Sequence, residues 1–155
     1  MRHRIASYNE ESGRYKVLEP EFYIPKRERH LQQIGKPGSY DFTEGTDSQY
    51  AITRTSMERT SILAYEEYFK LLSNGVAKEV ARMVLPVNIF SSAYVSMNAR
   101  ALMNFLSLRV SSEDSTFRSF PQKEIEIVGQ KYEEYFSTIM PITYEAFISS
   151  GRVAP

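Results

Sequence analysis

Apolar residues recur at three- and four-residue spacing in several stretches of the chain, which is the period of an amphipathic helix. The longest such stretch covers 55–73, and Gly75 follows it as a C-terminal cap. Two further helices end at proline, because Pro86 and Pro141 cannot continue a helix. The pattern predicts helices over 55–73, 76–85, 99–108, 121–140 and 143–149.

Short runs rich in β-branched and aromatic residues predict strands over 15–18, 22–24 and 89–97. Residues 26–53 are polar and rich in turn residues, which fits either a lid over a ligand or a surface loop without chemistry. Residues 111–120 form a second polar connection. The elements together predict an α+β fold in one domain, 1–155, with strands covered by long helices.

Length, net charge and the lack of long apolar runs limit the classes of partner that we expect. The 155-residue length suits one domain with a modest core. Its 19 basic and 19 acidic residues cancel, so charge gives no reason to expect a nucleic acid or an anionic membrane as partner. No apolar run approaches the roughly 18–20 residues of a membrane span, and the N-terminus lacks the apolar core of a signal peptide. We therefore expect a cytoplasmic protein.

Cysteine is absent from the sequence. This excludes disulfides, thiolate metal sites and cysteine nucleophiles. The histidines are His3 and His30, too few for a histidine-rich metal site, so no metal is expected.

The first residues carry the densest set of functional groups, with three arginines between Arg2 and Arg14. Guanidinium groups match the oxygens of phosphates and carboxylates. If this stretch is extended, Glu10, Ser12 and Arg14 lie on one face and could grip one ligand. The alternative is a solvated, salt-bridged surface strand.

The order of these residues resembles the sequence signature of a known family. Arg2-His3-Arg4, seven residues and then Ser12 reproduce the RHR-x7-S signature of the flavin-dependent thymidylate synthases. Three later stretches resemble the same family in the same order, so the similarity covers essentially the whole chain. These stretches are 79–86, 98–109 and 121–126.

The resemblance implies an enzyme that methylates dUMP to dTMP. Methylenetetrahydrofolate would donate the carbon and FAD, reduced by NADPH, the hydride. Since no cysteine can activate the pyrimidine, the reactivity must come from such a cofactor. The family fold implies helices on a mainly antiparallel sheet, and its members work as homotetramers.

The resemblance also implies ligand-binding residues. The dUMP set would be Arg2, Glu10, Glu11, Ser12, Gly13, Arg14, Arg82 and Arg109. The FAD set would be Arg2, His3, Arg4, Glu10, Asn98, Ala99, Arg100 and Asn104.

Among these residues Arg109 is expected to be catalytic. Placed against the pyrimidine, its charge would favour the ionised N3 and raise electron density at C5. Ser12 is expected to bind dUMP rather than attack it, because neither histidine has the context of its base. Two simpler alternatives stay open: Arg82 as a surface ion pair and Asn98 as a helix cap.

The chain begins one residue before the signature, whereas family members carry a substantial segment ahead of it. We therefore expect a fragment, a split gene product completed by a companion chain, or a start further upstream. Two functions follow: an active thymidylate synthase, or an inactive remnant that retains partial nucleotide or flavin binding.

Overall fold

Helices carry most of the regular structure of this computed structural model, which describes residues 5–37 and 39–154. Contacts divide the chain into two units. One unit consists of Tyr8–Gln33 and Phe42–Tyr94; the other consists of the residues up to Ser7, Ile34–Asp41 and the chain from Val95 onward. The single domain expected from chain length stays a prediction.

The unit of residues 8–94 is built on the long helix α1, Asp47–Ser73. Thr46 and Gln49 form a capping box at its start: the Gln49 N–H donates to the Thr46 hydroxyl at 3.2 Å, and the Thr46 N–H donates to the Gln49 side chain at 2.7 Å. The helix α2, Lys78–Ala81, and a 3₁₀ turn, Arg82–Val84, pack against α1. Tyr68 and Ala81 are fully buried there.

Residues 86–92 run through the same unit and are held on both sides. The Tyr23 N–H donates to the Asn88 carbonyl at 2.7 Å, and the Glu11 N–H donates to the Ser92 carbonyl at 2.8 Å. The Asn88 amide also donates to the buried Ser61 hydroxyl of α1 at 3.0 Å. These bonds fix the position of the segment relative to α1.

The other unit packs three helices: α3, Ala99–Arg109; α4, Lys123–Ile139; and α5, Pro141–Ser149. Their shared core consists of Met103, Phe105, Leu106, Val110, Phe136 and Phe147. Behind this core the buried Arg152 forms a two-pronged ion pair with Glu133, at 2.6 and 2.9 Å. The Tyr144 hydroxyl donates to the same carboxylate at 3.1 Å.

The strands form two small antiparallel sheets. Strand β1, Ser7–Glu10, pairs with β4, Ala93–Ser96, and strand β2, Gln32–Lys36, pairs with β3, Ser39–Thr43. The α+β class predicted from the sequence is therefore confirmed.

Several predicted boundaries are wrong. Residues 15–18 lie outside any strand, and of 22–24 only Phe22 forms a β-bridge, with Ile89. Residues 26–53, predicted to be a loop, contain β2, β3 and the beginning of α1. The start of α1 is exposed on nearly every side, so no apolar period marks it; the capping box was the available signal.

The helices in the described ranges include none that is both long and apolar enough to cross a membrane.

Candidate functional site

Residues 12–16, which follow β1, form a turn instead of continuing the strand. The N–H groups of Tyr15 and Lys16 donate to the Ser12 carbonyl at 3.0 and 3.1 Å. The Arg14 N–H lies 3.4 Å from the Ser12 hydroxyl. Glu10, Ser12 and Arg14 therefore do not share one face of an extended segment, and the prediction based on strand alternation is wrong.

This turn forms one wall of an open pocket of about 470 Å³. Glu10, Glu11, Ser12 and Gly13 line it from the turn, and Arg82 lines it from the 3₁₀ turn that follows α2. Leu85, Pro86 and Ile89 form an apolar floor. The volume is within the usual range for a small-molecule site. The structure thus brings together five residues that the sequence assigned to one ligand.

Gly13 lies where the turn after β1 approaches the 3₁₀ turn Arg82–Val84. A Cβ added at this buried glycine would lie 3.4 Å from a Leu18 methyl carbon and 3.5 Å from the Arg82 Cδ. The turn backbone therefore packs directly against the arginine side chain. This packing positions the stem of Arg82 at the pocket wall.

The two arginines near the pocket differ in their partners. Arg14 pairs with Glu79 at 3.1 Å, and both side chains are about half exposed. Arg82 is exposed and makes no ion pair within the ranges 5–37 and 39–154. The alternative of Arg82 as a surface ion pair is therefore not what the structure contains. Its guanidinium is available for an anionic ligand.

The two carboxylates of the turn are each held by a neighbouring serine. The Ser91 hydroxyl donates to Glu10 at 3.3 Å, and the Ser92 hydroxyl donates to Glu11 at 3.1 Å. Lys16 also contacts Glu11, at 2.5 Å. The hydrogen bond from Lys16, followed by that from Ser92, lowers the pKa of Glu11, and the same carboxylate raises the pKa of Lys16.

Sequence reasoning assigned no role to Ser91 or Ser92. Both lie about eighty positions after the carboxylates that they contact. No spacing in the sequence reports such a contact. The register of β1 on β4 was the information that could have identified them.

The later residues assigned to FAD lie at the start of α3, in the unit that contains the chain from Val95 onward. The Asn98 side-chain oxygen caps the helix by accepting from the Ala101 N–H at 2.9 Å. The predicted alternative, Asn98 as a helix cap, is therefore confirmed. The Asn104 amide donates to the Arg100 carbonyl at 3.1 Å. Arg100 is exposed in the first turn, and its side chain makes no ion pair with any described residue.

This arrangement fits an anionic cofactor. Ala99 and Arg100 follow the cap directly, so backbone N–H groups and a guanidinium meet at the positive end of the helix. Arg109 lies half-buried in the last turn of the same helix. Arg2, His3 and Arg4 lie outside the described residues. Within the described ranges, no group of three or more acidic or imidazole side chains could hold a metal ion.

Known proteins share this sequence and fold. A family model described as thymidylate synthase complementing protein matches residues 1–142. The chain belongs to this family. Its relatives include proteins named flavin-dependent thymidylate synthase: one from Tropheryma whipplei (strain TW08/27) is 56% identical over 155 residues, and one from Streptomyces avermitilis is 55% identical over 156 residues.

These matches cover the whole of this chain but only part of each relative. All of this chain aligns, but it spans 65% of the Tropheryma relative and 63% of the Streptomyces relative. Among solved structures, the UMP/dUMP methylase PolB from Streptomyces cacaoi, bound with 5-Br UMP, has a TM-score of 0.96 and 46% identity. That match covers 99% of this chain and 68% of PolB.

Proposed function

We propose that this family member is an FAD-dependent thymidylate synthase, a methyltransferase that converts dUMP to dTMP. Methylenetetrahydrofolate would supply the carbon, and NADPH would reduce the flavin. The pocket that combines Glu10–Gly13 with Arg82 carries the proposal, because it places a guanidinium beside polar turn groups over an apolar floor. The relatives' name, flavin-dependent thymidylate synthase, and the UMP/dUMP methylase PolB support the flavin and the methylation of a uracil nucleotide.

In this proposal the phosphate of dUMP binds the arginines and the uracil lies toward the apolar floor. Arg82 makes no ion pair with the described residues, so its donors suit two-pronged binding of phosphate oxygens. Ser12 and the Gly13 backbone add short donors beside it. Arg14 joins when its guanidinium leaves Glu79. Glu10 and Glu11 accept from hydroxyl or N–H groups of the nucleotide, and Arg2 completes the set.

The flavin is proposed to bind at the start of α3. Asn98, Ala99, Arg100 and Asn104 would hold it, with Arg2, His3, Arg4 and Glu10 from the signature. FAD supplies the hydride when bound. The exposed Arg100 and the helix N-terminus suit its diphosphate.

Arg109 is proposed to act on the pyrimidine. A guanidinium at N3 stabilises the ionised ring and increases electron density at C5, where the new carbon bond forms. A cation is also favourable at this position of the fold, because Arg109 occupies the last turn of α3.

We further propose a homotetrameric, cytoplasmic enzyme in the pathway of dTMP biosynthesis. Because the chain spans about two thirds of its relatives, a companion chain could complete each site.

The test is flavin uptake followed by turnover. The purified 155-residue chain is incubated with FAD, passed through gel filtration and examined by absorption, alone and with the remaining third of the Tropheryma relative supplied as a second polypeptide. We expect a retained flavin band, bleaching by NADPH and conversion of dUMP, with UMP as the parallel substrate.

Failure to retain flavin under both conditions would contradict the proposal. Binding of dUMP without product under both conditions would instead indicate an inactive remnant. Product from UMP and not from dUMP would reassign the substrate.

A further inference from the structure

Ser91 combines two properties of a ligand-site residue that the proposed function does not use. Its side chain lines the pocket of Glu10–Gly13 and Arg82. Its hydroxyl also donates to the Glu10 carboxylate at 3.3 Å. The neighbouring Ser92 is not among the described residues that line this pocket.

The pairing of β1 with β4 places the two serines on opposite faces, although Glu11, on the face of Ser92, also lines the pocket. Strand β1 pairs with β4, and the Glu11 N–H continues this pairing by donating to the Ser92 carbonyl at 2.8 Å. Adjacent side chains on an extended segment point to opposite faces. Glu11 and Ser92 therefore meet on one face, whereas Glu10 meets Ser91, its diagonal neighbour, on the other.

The segment that carries Ser91 is held from several directions. The Phe90 N–H donates to the Glu21 carbonyl at 2.9 Å. Two positions earlier, the Asn88 amide donates to the Tyr23 carbonyl and to the buried Ser61 hydroxyl, both at 3.0 Å. Ser91 lies just before β4, outside any strand, but these bonds restrict its backbone and therefore the position of its hydroxyl.

We infer that Ser91 is a positioning residue of the nucleotide site, which holds the Glu10 carboxylate toward the ligand through the hydrogen bond from its hydroxyl. This inference rests on the proposed function, because dUMP is the ligand concerned. Glu10 is exposed and makes no ion pair with any residue in 5–37 or 39–154, so among these residues Ser91 is the side chain that restricts it. Glu11 depends less on its serine, since Lys16 holds it as well.

The experiment compares dUMP binding by the unaltered chain with binding by three variants: Ser91→Ala, Ser91→Thr and Ser92→Ala. Binding is measured by titration calorimetry on the full chain, alone and with the remaining part of the Tropheryma relative, and thermal unfolding is recorded for each variant. Ser92→Ala is the matched control, because it removes an equivalent hydroxyl that also bonds a carboxylate.

We expect Ser91→Ala to weaken dUMP binding about fivefold, the effect of losing one hydrogen bond. Ser91→Thr should restore the affinity, since it returns the hydroxyl, and Ser92→Ala should change it less than twofold. The unfolding temperatures of Ser91→Ala and Ser92→Ala should agree.

Unchanged affinity in Ser91→Ala, an equal loss in Ser92→Ala, or no rescue by threonine would overturn the inference and leave the proposed function standing. No dUMP binding by the unaltered chain under either condition would contradict the proposed function, and the inference would fail with it.

Discussion

At the scale of single residues, Arg14, which is proposed to bind the phosphate of dUMP, is paired with a carboxylate. Glu79 contacts both Nε and Nη2 of Arg14, at 3.3 and 3.1 Å. A phosphate dianion approaching Arg14 must compete with this carboxylate. If Arg14 binds the phosphate as proposed, Glu79 is the counter-ion that the phosphate replaces.

Replacing Glu79 with glutamine should therefore strengthen dUMP binding. The gain should be about threefold, since exposed ion pairs contribute only a few tenths of a kcal/mol to about 1 kcal/mol. Titration calorimetry measures it. Glu67→Gln is the control, because it removes the same charge from another exposed ion pair, that with Lys70. Equal affinities for both variants would show that only net charge matters.

Arg109 is predicted to serve turnover more than binding. Arg109→Lys keeps the charge but loses the planar fork, so we expect kcat to fall by about 10²-fold, the usual effect of losing one electrostatic contact to the reacting group. The dissociation constant of dUMP should change much less. Arg118→Lys, at an exposed arginine that stacks on Phe120, is the control. Weaker dUMP binding with an unchanged kcat would assign Arg109 to binding alone.

Glu11 should make the stability of the chain depend on acid pH. Its pKa is lowered from an ordinary 4.5 by Lys16 and Ser92, so its contribution is present above pH 4.5 and is lost as pH falls through the folded-state pKa. We expect Glu11→Gln to be less stable than the parent at pH 6, and the difference to shrink as the pH falls below 4.5. Urea unfolding over this pH range measures this. In Glu145→Gln, the control, the difference should not follow pH; a constant difference for Glu11→Gln would contradict the prediction.

At the scale of elements, one glycine sets how closely α4 approaches the end of α3. A Cβ at Gly129 would lie 2.7 Å from a Val110 methyl and 3.2 Å from the Arg109 carbonyl. At 2.7 Å either the Val110 methyl or the new Cβ would have to shift, and the 3.2 Å contact with the backbone carbonyl would be tight as well. The glycine is therefore required by packing, although it lies inside a helix and is unfavourable there.

Gly129→Ala should destabilise the chain by about 1–3 kcal/mol, the usual cost of overpacking, despite the better helix propensity of alanine. It should also reduce turnover, because the displaced backbone is that of Arg109. Urea unfolding followed by circular dichroism gives the stability, and Gln130→Ala, at the exposed next position, is the control. Increased stability of Gly129→Ala would show that the helices separate without cost.

The elements also show which sequence signals were sufficient. The helix predicted over 99–108 is α3, Ala99–Arg109, and the cap residue Asn98 is in place. The prediction succeeded here because Asn98 suits an N-cap and the residues after it are strong helix formers; the helix buries Met103, Phe105 and Leu106. The sequence prediction failed at the start of α1, where burial is nearly absent, and at 15–18, where the turn at Ser12 overrides strand propensity.

At the scale of the whole molecule, a buried ion pair between Arg152 and Glu133 joins the end of the chain to α4. The side chains of Arg152 and Glu133 are 5% and 13% exposed, and Tyr144 donates to the same carboxylate. Arg152 also has a positive φ of 61°, an uncommon backbone conformation for a side-chain-bearing residue. Tertiary contacts hold it there.

Glu133→Gln should lower the free energy of unfolding by about 3 kcal/mol, because it leaves a buried guanidinium without its counter-charge. Glu134→Gln, which removes an exposed pair with Lys131, is the matched control and should cost less than about 1 kcal/mol. Urea unfolding measures both. Similar losses in the two variants would mean that water reaches Arg152.

The candidate site was predicted in part. The signature and the later helices identified Glu10–Gly13, Arg82 and the start of α3, and five of these residues do line one pocket. Their roles toward dUMP and FAD stay predictions. Ser91, Ser92 and Glu79 were not found, since each acts through a contact with a residue 65 or 81 positions away.

The sequence by itself determined the kinds of chemistry and the local elements. The absence of cysteine, the arginine-rich signature and the helical periods depend only on which residues are neighbours along the chain. The tertiary structure decided which functional groups meet: Arg14 with Glu79, Glu10 with Ser91, Arg152 with Glu133. These pairs form where distant segments return to one place, and that depends on packing over the whole unit, which no local pattern encodes.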